Sequence, residues 1–194
     1  MNIYIPQITR ETSSGFIKDT LQEAMFQKRE VQLFGEVTAM SIHALMLQMR
    51  YLHGQSADEE IVMYINSPGG SVSDGLALYD VMQAISCPVR TVCIGTAASM
   101  GALLFLSGNQ REILPHSKVM LHDPLVSGGI SGSALEIESR SKMLMKTREL
   151  TAKIIAKHTG KTLKEVYKIT AKDTYFDAEE AVAFGLADRI IYEM

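Results

Sequence analysis

Twice between residues 59 and 106 the chain runs through the same order: an apolar stretch, a turn of small residues, then a helical pattern. "EEIVMYIN" leads through "SPGGS" into "VSDGLALYDVMQAIS", and "VRTVCIG" leads through "TAAS" into "MGALLFL". A third apolar stretch, "SKVML", follows the turn "LPHS" and stops at "HDP". Short apolar runs without polar alternation suit strands covered on both faces. Strands of that kind joined by helices lie parallel, because the helix carries the chain back to the end where the previous strand began. The alternation therefore predicts an α/β fold with a parallel-sheet core. A chain of 194 residues is expected to form one domain, 1–194, and no repeat at a fixed period divides it.

The flanking segments add helices. "GFIKDTLQEAMFQKR" carries helical spacing through Ile17, Leu21, Met25 and Phe26, and "EVQLFGEV" reads as a strand broken at Gly35. "MSIHALMLQMRYLHG" reads as an amphipathic helix closed by Gly54. The longest helical pattern runs from Ser133 to Thr159, stopped by Gly160 and preceded by the glycine-rich connector "VSGGISGS". At 1.5 Å per residue it reaches roughly 40 Å, more than the diameter of a domain this size. It is expected to project as an arm for self-association, leaving Leu135, Met143, Leu150 and Ile154 in need of a partner surface. The plainer alternative is a kinked helix lying across its own core. "TLKEVYKI" and "AEEAVAFGLADRIIYEM" supply two short helices and a terminal strand.

Charge and composition remove several function classes. A net charge of −3 with no basic cluster argues against nucleic acid and anionic membrane as partners. No run approaches the ~18 apolar residues that a membrane span needs. The start, "MNIYIPQITRETSSGF", lacks the charged-then-apolar pattern of a secretory signal. Cys87 precedes a proline and Cys93 sits inside a strand run, so both read as reduced structural thiols. Together these features predict a cytoplasmic protein.

In open α/β sheets, reactive groups gather beyond the carboxyl ends of the strands. Here those ends carry Gly69 and Gly70, then Ser99, then His122. Ser99 has two readings. It can cap the helix that follows, or its Oγ can be lifted out of the sheet with the Met100 N–H beside it at a helix N-terminus. The stretch alone favours the cap. Of the five histidines, His43 looks solvated, His53 ends a helix beside Gly54, His116 lies in a turn, and His158 suits the dipole at a helix C-terminus. Only His122 ends an apolar strand, where an imidazole could take a serine proton; a strand-end histidine satisfied by backbone is the alternative. Asp123 should point to the opposite side of an extended backbone. Asp177 begins a capping box with Glu180. Asp173 has no helix to cap, yet composition does not single it out from 22 acidic residues. The glycines of "SPGG" would let an N–H point into a site, or simply make a tight turn.

Four blocks taken together, "YINSPGGSVSDGLALYD", "CIGTAASMGALL", "VMLHDPL" and "KDTYFDAEEAVAFGLAD", resemble the corresponding blocks of the ClpP family of proteolytic subunits. The resemblance implies a crotonase-like ClpP fold with a projecting helical handle in residues 123–160. It implies Ser99 as nucleophile, His122 as general base, Asp173 as the orienting carboxylate, and the Gly70 and Met100 N–H groups as the oxyanion hole. The implied function is a serine endopeptidase subunit of two stacked heptameric rings. Unfolded polypeptide would be fed to it by an AAA+ ATPase of the ClpX, ClpA or ClpC type. A strand beside "VSGG" would line the substrate channel, whose Leu, Met and Val content suggests cleavage after apolar residues. No cofactor or metal is implied: ATP belongs to the partner ATPase, and "HTGKT" is no P-loop, because Ile155 stands where that motif needs glycine. Asp123 stands where the family usually has glutamine, and the N-terminal block and both loops around the third strand also depart from the pattern. These departures imply a divergent, second paralogue. Two alternatives remain: a non-catalytic or latent ring subunit that regulates an active paralogue, and a crotonase-type acyl-CoA enzyme, against which stands the lack of a basic cluster for the CoA phosphates.

Overall fold

The computed structural model describes residues 6–194 apart from 14, 127 and 130. It begins with an antiparallel hairpin, β1 (Gln7–Thr12) and β2 (Gly15–Thr20), followed by α1 (Leu21–Gln27). The single helix expected over 15–29 is therefore split. Thr20 caps α1 and Glu23 returns the bond, a capping box that starts the helix at Leu21. Residues 15–20 instead pair with 7–12, where Arg10 Nε meets Asp19 Oδ2 at 2.8 Å. Helical spacing over 17–25 was real, but a strand partner earlier in the chain took the first half.

The alternation read from the sequence then follows. β3 (Glu30–Phe34), α2 (Ala39–Gln55), β4 (Ile61–Ser67), α3 (Val72–Ala84), β5 (Val89–Ala98) and α4 (Met100–Leu106) succeed one another. Gly54 does not close α2, which runs one residue further and is capped at Ser56. β6 (Gln110–Ile113) and β7 (Lys118–Leu121) follow, then α5 (Ala134–Thr159), α6 (Leu163–Thr170), β8 (Thr174–Phe176), α7 (Ala178–Phe184) and β9 (Arg189–Ile190). The main sheet has the order β3-β4-β5-β6-β9, all parallel. β5 is ten residues long and serves two neighbours: its first part pairs with β6, and Thr96–Ala98 pair with β7. β8 joins β7 antiparallel. β6 is not visible in the sequence pattern because three of the four residues of "QREI" are polar; its Glu112 is buried between Arg90 and Arg189. Burial alone would raise that carboxyl, but the two guanidinium groups hold it below the usual range.

One large core lies between the sheet and α2, α3 and α4. All seven residues of α4 are buried. Each of its large side chains, such as Leu104 and Phe105, contributes roughly 1.5–3 kcal/mol by leaving water. α5 has the bounds the sequence predicts, with Ser133 as N-cap and Gly160 left-handed at its end. Its two halves differ. Leu135, Met143 and Leu150 are exposed, whereas Ile154 packs into the core of its own chain and needs no partner. The strand expected beside "VSGG" is absent among the described residues of 122–133, since that segment pairs with no described neighbour; Ser127 and Ile130 lie outside the described residues. A strand exists only where another supplies its hydrogen bonds.

Candidate active site

Ser99 sits in the one-residue step from β5 into α4. Its backbone is at φ 53°, ψ −120°, outside the regions a side-chain-bearing residue prefers. Holding a residue there costs of the order of 1–3 kcal/mol. Although it occupies the N-cap position, its side chain makes no cap hydrogen bond. Its Oγ lies instead 2.8 Å from His122 Nε2. The turn after β4 packs directly against this step. Gly69, at φ 93°, presses its α-carbon so close that an added Cβ would stand 2.7 Å from Ser99 Cβ and from the Ala98 carbonyl oxygen.

His122 and Asp173 arrive through strand register. β7 pairs with the end of β5 by Ala98↔Met120, and the Ser99 N–H donates to the Met120 carbonyl at 2.9 Å. β8 pairs with β7 by Met120↔Tyr175 and Leu121↔Thr174, so the next step of the same ladder sets Asp173 opposite His122. Their side chains meet at 3.2 Å, Nδ1 to Oδ1, with the imidazole mostly shielded and the carboxylate largely exposed. The structure thus brings together the three side chains singled out in the sequence.

The "SPGG" turn flanks the serine. Val37 N–H donates to the Gly69 carbonyl at 2.8 Å and Ser71 N–H donates to the Val37 carbonyl at 2.9 Å, which pins the turn to the residues after β3. Gly70, at φ 146°, leaves no room for a side chain: a Cβ would fall 2.3 Å from the Val37 carbonyl oxygen. Among the described residues no backbone acceptor takes the N–H of Gly70 or of Met100. A cleft of about 550 Å³ opens in front of Ser99, His122 and Gly70, with Val72, Met120, Pro124, Leu125 and Leu144 as its apolar wall.

The remaining candidates take structural places. Asp177 caps α7 in a box with Glu180. His158 is not a cationic cap: its Nε2 lies 3.0 Å from the Tyr79 hydroxyl, and burial, helped by Lys157 and Arg111, lowers its pKa and keeps it neutral. Arg111 takes over at that helix end, donating to the carbonyls of His158 and Gly185 at 3.0 and 2.9 Å. Asp123 turns away from His122, as expected, and meets Arg148 and Thr170. Nothing in the sequence near Asp123 announces those partners.

The fold is a mixed α/β architecture with a mostly parallel sheet, and its strand ends gather a serine, a histidine and an aspartate where such sheets place their sites. A family model described as Clp protease matches residues 13–194, nearly the whole chain, and the chain belongs to that family. It is a ClpP-like peptidase chain, from a family whose members assemble as oligomers and work with Clp ATPases. Among the described residues no helix is long and apolar enough to cross a membrane.

Proposed function

We propose that residues 1–194 form one peptidase domain acting as a serine endopeptidase subunit of a barrel of two stacked heptameric rings. Ser99 attacks the scissile carbonyl carbon while His122 Nε2 takes the Oγ proton, and Asp173 holds the imidazole through Nδ1. The carbonyl oxygen, now negative, accepts from the N–H groups of Gly70 and Met100; each such donor is worth roughly 100-fold to 1,000-fold in rate. The C–N bond then breaks and the His122 proton goes to the departing amine. Water, deprotonated by His122, attacks the acyl-serine and releases the carboxylate, restoring the Ser99 hydroxyl. The chain needs no cofactor for these steps. Unfolded polypeptide is delivered in the cytoplasm by an AAA+ ATPase that consumes the ATP.

The observation that carries this reading is the 2.8 Å contact between Ser99 Oγ and His122 Nε2, made by a serine that caps nothing. The test is intact-mass measurement after exposure to a fluorophosphonate, with Ser99→Ala and His122→Ala in parallel. Phosphonylation of the wild type alone is expected. An unlabelled wild type, alone and after mixing with a ClpP paralogue, would leave the non-catalytic ring subunit as the better reading.

A further inference from the structure

The residue after His122 is an aspartate held more tightly than its neighbours. Asp123 Oδ2 accepts from Arg148 Nε at 2.6 Å and Oδ1 accepts from the Thr170 hydroxyl at 2.7 Å. Its backbone N–H donates to the Thr170 carbonyl at 2.7 Å. The Arg148 guanidinium in turn lies over the Tyr167 ring, 4.2 Å from its centroid. One residue thus ties three elements together: the turn leaving β7, the middle of α5, and the end of α6. Each end of the arrangement abuts a member of the triad. Asp123 follows His122 directly, and Thr170 precedes Asp173 by three residues, with the Thr174 hydroxyl donating to the Ile169 carbonyl at 2.7 Å across that bend.

We propose that Asp123 and Arg148 form a positioning clamp that holds the His122 imidazole between Ser99 and Asp173. This rests on His122 as the base, as argued above. The physical reason lies in what else restrains the ring. Beyond Leu121 the β7–β8 ladder ends, so the backbone of His122 is held by the strand on one side only. Pro124 has no N–H to offer, and among the described residues no regular element resumes before Ala134. Without the clamp, the backbone bond among the described residues that anchors the turn just after His122 is the Asp123 N–H to the Thr170 carbonyl. Arg148 and Asp123 are both about a quarter to a third exposed, so the pair is shielded enough to be firm without carrying the cost of a fully buried charge. Arg148 suits the task better than a lysine would, because its planar head can bond the carboxylate and stack on Tyr167 together.

Peptidase kinetics and histidine modification test this in Asp123→Asn, Arg148→Gln and the double variant. Each single variant should lower kcat about tenfold at unchanged KM, within the hundredfold that a misplacement of about 1 Å can cost. The double variant should be no worse than the poorer single, because both remove one interaction. Diethyl pyrocarbonate modification of His122, read by peptide mass, should quicken several-fold in all three, and this readout does not require a reactive serine. A wild type that fails to turn over would sink the catalytic reading, while the modification rates would still decide the clamp. Unchanged His122 modification in all three variants overturns the clamp, and so does a kcat loss that adds up across the two sites or follows a fall in melting temperature.

Discussion

Gly75 lies in α3 facing Met100, the first residue of α4, and the two physical effects of replacing it with alanine have opposite signs. Helix propensity favours Gly75→Ala by about 1 kcal/mol. Packing opposes it. An added Cβ would stand 2.3 Å from Met100 Cγ and 2.8 Å from its Sδ and Cε, where carbon contacts settle near 3.5–4.0 Å. Met100 is 1% exposed, so the chain has nowhere open to go. The closest atom is Cγ, which moves only if χ1 changes, so the upper part of the usual overpacking cost of 1–3 kcal/mol applies. The net expectation is a loss of about 1–2 kcal/mol. Met100→Ala should cost about 2–5 kcal/mol by itself. In the double variant the new methyl occupies part of the vacated space, so the combined loss should fall short of the sum by about 1 kcal/mol. The chain has no tryptophan, so urea unfolding followed by far-ultraviolet circular dichroism is the suitable assay. Because the displaced residue carries the N–H assigned to the oxyanion hole, Gly75→Ala should also slow fluorophosphonate labelling. A Gly75→Ala variant that is more stable than wild type by the full propensity gain would refute the reasoning, since Met100 would then yield its place freely.

Two further outcomes follow from ionisable groups. Burial lowers the pKa of His158 below 6.5, so between that value and the folded pKa the unfolded chain binds a proton that the native one refuses, and stability falls as the pH drops. His158→Gln should flatten that acid-side slope in urea midpoints measured from about pH 7 to pH 5; equal slopes would discard the idea. Burial also pushes the Cys93 thiol up to about 12 and raises Cys87, so neither should react with iodoacetamide in the native protein at neutral pH. Rapid alkylation of either cysteine before unfolding would contradict their burial.

Much of the fold was legible in short stretches. β4, β5 and β7 are largely apolar runs between turns, and the helical pattern of α5 begins at Ser133 and stops at Gly160, as the helix does. Where the reading went astray, the deciding partner was remote. Residues 15–20 have helical spacing, yet they pair with 7–12. "QREI" looks like a loop because Glu112 is charged, and only Arg90 and Arg189, brought from other strands, make its burial tolerable. His158 reads from the sequence as a cation at a helix end; in the fold it is packed against Tyr79, on a helix far earlier in the chain, and burial, with Lys157 and Arg111 nearby, lowers its pKa.

The candidate site divides along the same line. The sequence by itself determined which side chains stand at strand ends, Ser99 after "GTAA" and His122 before "DP", because strand length and turn chemistry are written in neighbouring residues. It also determined that Gly69 and Gly70 would be free of side chains. Whether Ser99 caps a helix or faces an imidazole was decided only by the tertiary structure, where β7 lies beside the end of β5 and brings His122 to 2.8 Å. Asp173 was one carboxylate among many until the β7–β8 register set it opposite His122, and Arg148 had no visible link to Asp123 across the intervening loop. Spacing along a chain specifies what each residue's near neighbours will be. Which distant groups share a few ångströms depends on how sheets and helices pack, and that is settled by the whole core at once.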